Sequence, residues 1–140
     1  MTPESTLTEL MSDLLGDRFK SGKGEAQRKT SVHGVDVIPD GIIDDEWIVE
    51  LESRVLKQVR GAVVDLILST NRRKKLLVLL AQPGADLSRA VGHLKEVVRS
   101  LGQDLNNWCI VGLSREWGKQ ERLEILRTAF QEAGILRPQN

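Results

Sequence analysis

The chain contains no tyrosine, two phenylalanines, three tryptophans and a single cysteine among 140 residues. One cysteine excludes an intrachain disulfide, and Cys109, inside the apolar run WCIVGL, is expected to pack as a small hydrophobe rather than react. Net charge is also missing. Lysine plus arginine and aspartate plus glutamate each total 20, so no overall field draws the chain to nucleic acid or to an anionic membrane. Such binding would need a local patch, while neutrality favours self-association. No apolar run approaches the length that crosses a bilayer. The start MTPESTLTEL lacks the basic segment, long apolar core and small-residue cleavage site of a secretion signal, which makes the cytoplasm the expected location. Neither a metal-ligand cluster, a nucleophile motif nor a glycine-rich phosphate loop stands out.

What is present suits one α/β domain: 140 residues, 40% of them hydrophobic, are enough to bury a single core. The first segment predicts a helix over about 3–19, with Thr2 as N-cap, Pro3 as first helical residue and Thr6/Glu9 at capping-box spacing. Its stripe of Leu7, Leu10, Met11, Leu14 and Leu15 must dock on this core, on a second copy or on a partner. The following KSGKGEAQRKTS reads as a basic, mobile linker over 20–34, leaving a domain over 35–140 in which Pro39 limits the first strand to an edge at about 35–38.

Asp44 is placed to cap a second helix, with Asp45 and Glu46 in its first turn, Trp47, Leu51, Val55 and Val59 on its buried face, and Gly61 as its end. Two apolar runs follow, at about 62–69 and 75–82, and predict a strand hairpin across the basic loop TNRRKK. Asp86 should cap a crossover helix that Gly102 ends. The uncharged run 108–113 predicts a third core strand in a central position, and a last helix runs from about 118 to 133. The expected fold is therefore a small mixed sheet flanked by helices, with an N-terminal helix on a linker.

Asp65, a carboxylate among Val63, Val64, Leu66 and Ile67, would be costly to bury without a partner. The segment from about 43 to 114, with helix, hairpin, helix, strand and an acid early in the hairpin, resembles the core of the restriction-endonuclease-like, or PD-(D/E)xK, nuclease superfamily. The resemblance implies an aspartate on the first hairpin strand and a Glu-x-Lys triplet ending the second, gathered to hold a divalent metal and position water. Asp65 matches the aspartate. The triplet falls on Leu80-Ala81-Gln82, a departure that removes the second acid and replaces lysine with glutamine. Glu50 or Glu52, on the preceding helix, would have to lean over the site to supply a ligand, with magnesium as the cofactor in that case and none otherwise.

Three functional expectations follow. The first is a non-catalytic domain that assembles through its N-terminal helix with a protein partner or a second copy. The second is a metal-dependent nuclease or nucleic-acid-processing subunit using Asp65 as candidate metal ligand, with Glu50, Glu52 and Gln82 as the other candidates. The third is nucleic-acid binding without chemistry through Arg72, Arg73, Lys74 and Lys75, although no aromatic residue interleaves with these charges as a stacking platform.

Overall fold

The computed structural model describes residues 2–21, 30–32, 35–37, 39–53, 56–68 and 74–138. Helix α1 (Pro3–Leu15) starts at Thr2, whose side-chain oxygen accepts from the Ser5 N–H, with proline in the first turn as expected. A 3-10 turn, Gly16–Arg18, leads into β1 (Phe19–Ser21). Strands β2 (Thr30–Val32) and β3 (Val35–Val37) pair antiparallel as a separate two-stranded sheet, so the edge strand expected near 35–38 exists but does not extend the main sheet. Next come β4 (Gly41–Ile43), β5 (Trp47–Glu52), α2 (Leu56–Leu68), β6 (Lys74–Ala81), α3 (Leu87–Ser100), β7 (Trp108–Ser114) and α4 (Lys119–Glu132).

The small mixed sheet between helices is borne out, with strand order β1-β4-β5-β6-β7. β1/β4 and β4/β5 are antiparallel, and β5/β6 and β6/β7 are parallel. Residues Trp47, Val49 and Leu51 of β5 and Leu76, Val78 and Leu80 of β6 share one core with Leu7, Leu10, Met11 and Leu15 of α1 and Leu123, Leu126 and Phe130 of α4. The opposite face joins Ile48, Leu77 and Leu79 to Val59, Ala62, Val63 and Leu66 of α2 and Leu94 and Val98 of α3. The result is three layers, and alternation along each strand assigns each residue to one of them.

The assignments between residues 44 and 69 are reversed. WIVELE was expected to be helical and is strand β5; the run over 62–69 was expected to be a strand and lies almost wholly in α2. In β5, Trp47, Val49 and Leu51 alternate with Ile48, Glu50 and Glu52, a period of two that the acidic first-turn reading of Asp44-Asp45-Glu46 concealed. Those acids instead form the β4–β5 turn: Asp44 and Asp45 take φ of 52° and 60°, and the Glu46 N–H returns to the Ile43 carbonyl at 2.9 Å. Aspartate tolerates this left-handed conformation better than most residues. In α2 the buried Val59, Ala62, Val63 and Leu66 recur at helical spacing. The continuous apolar letters between them resemble a buried strand when read without length or phase. The hairpin therefore lies one element upstream of its expected place, and 62–69 is joined to β6 as helix to strand.

The other elements follow expectation more closely. Asp86 caps α3 through the Arg89 N–H, and Gly102 adopts φ 78° just beyond it. Helix α4 ends before Gly134, at φ 79°. The strand at 108–113 is present as β7, but it stands at the end of the sheet rather than in the centre; α3 and α4 cover its two faces, which accounts for its apolar composition. The tail is anchored as far as Ile135, which is 3% exposed and whose carbonyl accepts from Arg18 Nη2 at 2.7 Å.

Candidate functional site

The β4–β5 hairpin gathers carboxylates. Asp40, immediately before β4, is held against β5 by two backbone contacts: its N–H donates to the Val49 carbonyl at 3.1 Å, and its Oδ2 accepts from the Leu51 N–H at 2.8 Å. Its carboxyl is also hydrogen-bonded to that of Glu50. Glu50 is only 8% exposed and Glu52 5%, both on the β5 face that carries Ile48 toward α2. Burial, then the charge and hydrogen bond of Asp40, then the charges of Glu52 and Asp65, push the Glu50 carboxyl up to about 10. Two carboxyl groups in direct contact cannot both ionise, so near neutrality this pair holds a proton between them.

Glu50 and Glu52 thus lie on a strand, not on a helix leaning over a site. Asp65 is on the exposed surface of α2, so it carries no burial cost, and its charge acts on Glu50. Among the described residues no three histidine, cysteine, aspartate or glutamate side chains converge as a ready-made metal cage. Asp40 and Glu50 form a directly bonded carboxyl pair.

The carboxyl ends of the three parallel strands are tied together beside this pair. Gln82 Nε2, just past β6, and Arg115 Nη2, just past β7, both donate to the Ser53 carbonyl, at 2.9 and 2.8 Å. Arg122 of α4 donates through Nε to the Ser114 carbonyl at 3.2 Å and through Nη2 to the Arg115 carbonyl at 2.9 Å. Arg115 Nε is buried without a hydrogen-bond partner among the described residues. Gln82 therefore fixes the end of β5, one residue past Glu52. The ends of parallel strands are where α/β sheets commonly present ligand sites. No family model, curated protein or solved structure matches the chain.

The remaining expected sites are placed elsewhere. Arg72 and Arg73 fall outside the described residues. Lys74 bridges to Glu46 at 2.8 Å and lies over the Trp47 ring, while Lys75 is buried with its amine 6.0 Å from the Trp108 ring, its pKa lowered by desolvation. Both sit at the start of β6, opposite Trp47 and Ile48, whereas Glu50 and Glu52 face Leu77 and Leu79 further along. Lys74 and Lys75 therefore lie toward the start of β6, away from Glu50 and Glu52. Leu7, Leu10, Met11 and Leu15 of the proposed partner-binding stripe are at most 5% exposed in the chain's own core, and Leu14 packs against it. Burial pushes the Cys109 thiol up to about 12, which keeps it protonated and unreactive. Sequence reading missed Asp40 altogether. The available signal was Pro39-Asp40 seven residues before an alternating strand with acids at two successive same-face positions.

Proposed function

We propose that this chain is a metal-dependent nuclease whose site is Asp40, Glu50 and Glu52. The observation that carries the reading is the buried, hydrogen-bonded pair Asp40–Glu50 with Glu52 and Asp65 in its field. Clustering like charges in a desolvated place costs stability, and such perturbed groups are concentrated at functional sites. On this reading the restriction-endonuclease-like pattern is carried by the β4–β5 hairpin. Pro39-Asp40, opening the first hairpin strand, takes the place of the aspartate, and Glu50-Leu51-Glu52, ending the second, takes the place of Glu-x-Lys, with glutamate where the lysine stands. Helix α2 and strand β6 follow in the order the resemblance requires.

The donor set fits a hard divalent cation: it is all oxygen, and magnesium commonly uses one or two carboxylates while water and substrate phosphate complete its shell. Asp40 and Glu50 would hold it. When bound, such an ion supplies positive charge to a phosphodiester and acidifies a water. Asp40, fixed by its two backbone contacts, presents its carboxylate without reorganising. To hold the ion, Glu50 would release the proton it shares with Asp40 to solvent. Glu52, two residues along the same face, accepts a proton from the attacking water at a carboxylate oxygen. Gln82 and Arg115 hold the Ser53 carbonyl and with it the end of β5, so that Glu52 keeps its place.

The test is cleavage of single- and double-stranded DNA and RNA with and without magnesium, using the full chain and the variants Asp40→Asn and Glu50→Gln. Magnesium-dependent cleavage that both variants lose while remaining folded is the expected result. Absence of cleavage on every substrate together with absence of magnesium binding by calorimetry would refute it.

A further inference from the structure

The two ends of the sheet differ in how they are guarded. At one end β1 is three residues long and carries the exposed Lys20, the usual means by which an edge discourages pairing with another chain. At the other end β7 has β6 as its one strand neighbour among the described residues and runs for seven residues, WCIVGLS, without charge or proline. Its outer side opens into a groove of about 270 Å³ lined by Trp108, Cys109 and Ile110 of the strand, Lys95 of α3, and Ala129 and Glu132 of α4. A long, apolar, unguarded edge of this kind is a template for strand addition.

We infer that β7 pairs with β7 of a second copy, antiparallel about Val111, to make one continuous ten-stranded sheet. The strand is complementary to itself in that register. On the face toward α4, Cys109 meets Leu113 of the other copy and Val111 meets Val111. On the face toward α3, Trp108 meets Ser114 and Ile110 meets Gly112, so each large side chain is opposite a small one. Gly112 is required to be small within its own chain as well, since a Cβ there would lie 2.9 Å from Val91 Cγ2 and 3.1 Å from Leu87 Cδ2. No charged residue of the strand meets a like charge. The size also fits a stable dimer: a seven-residue strand is about 23 Å long, and a helix-sheet-helix sandwich is roughly 30 Å deep. The edge face is therefore about 700 Å² per copy, near the roughly 800 Å² per partner of a standard interface. This contact is independent of the nuclease reading, and it assigns self-association to β7 instead of to the stripe of α1.

The test combines sedimentation with a register-specific crosslink. The full chain should sediment at twice its mass at micromolar concentration, and Ile110→Lys, which places a charge on the half-buried edge, should shift it to the monomer. In a Cys109→Ala background, Val111→Cys should form an intermolecular disulfide on mild oxidation, because directly opposed antiparallel residues have Cα atoms about 4.5–5.5 Å apart. Ile110→Cys in the same background should not, since its symmetry mate is two residues out of register. A monomer at all concentrations would overturn the proposal, whether or not it captures an added peptide strand. So would a dimer that crosslinks equally well through residue 110, or one that survives Ile110→Lys.

Discussion

Replacing Glu50 with glutamine tests the acidic site without relying on catalysis. The Glu50 carboxyl is raised from its ordinary value of 4.5 to about 10, chiefly by burial and then by Asp40. The folded chain thus keeps a proton that the unfolded chain releases, so the stability linked to this group is fully present below about pH 4.5 and is lost progressively as pH rises toward 10. The slope is about 1.4 kcal/mol per pH unit, which makes the loss between roughly pH 6 and pH 8 on the order of 2–3 kcal/mol. Glutamine preserves the shape, donates to Asp40 from its amide and does not titrate. Urea unfolding in chelator across that interval should show a falling stability for the native sequence and a flatter profile for Glu50→Gln. Magnesium should then raise the stability of the native chain at the alkaline end and leave the variant unmoved, because only the native pair binds the ion in the folded state. Equal pH slopes in the two proteins would refute the account of Glu50 as a buried acid sharing a proton with Asp40.

Other substitutions test the remaining parts of the structure. Leu10→Ala, at a side chain 2% exposed in α1, should cost about 2–5 kcal/mol in denaturant unfolding; a cost under about 0.5 kcal/mol would mean that α1 does not belong to the core. Asp45→Gly, at φ 60° in the β4–β5 turn, should stabilise the fold by about 0.5–1 kcal/mol, read as a slightly higher melting temperature, by relieving a left-handed residue; a decrease would argue against this turn. Asp65→Asn should leave magnesium-dependent cleavage within a few fold of the native level, since Asp65 is exposed on α2 and acts on Glu50 through its charge alone; complete loss of cleavage would return Asp65 to the centre of the site. Cys109 should resist alkylation in the native protein and react on unfolding, measured by mass shift against urea concentration.

The elements legible in the sequence were those with local punctuation. Thr2-Pro3, Asp86, Gly102 and Gly134 mark helix ends through bonds and backbone conformations that need no distant partner. The segment from Asp44 to Leu68 was misread because its local signals point two ways. Two consecutive aspartates suit a helix start or a left-handed turn, and a helix covered on one broad side shows the same run of aliphatic letters as a buried strand. Read as a helix, residues 44–61 shift the expected hairpin downstream to Asp65, whereas the observed β4–β5 hairpin carries Asp40 and Glu50.

Composition and pattern alone therefore determined an α/β fold, the helix ends at Thr2, Asp86, Gly102 and Gly134, a cysteine packed in the core, and the absence of any apolar run long enough to cross a membrane. Which carboxylates meet was decided only by tertiary structure. Asp40 and Glu50 are ten residues apart in the chain and become neighbours when β4 turns back along β5, and Glu52 joins them because alternate residues of a strand share a face. The same holds for α1, whose stripe is an open surface as a sequence and a covered one in the fold. Burial belongs to the pairing of distant segments, and no local period encodes which partner supplies it.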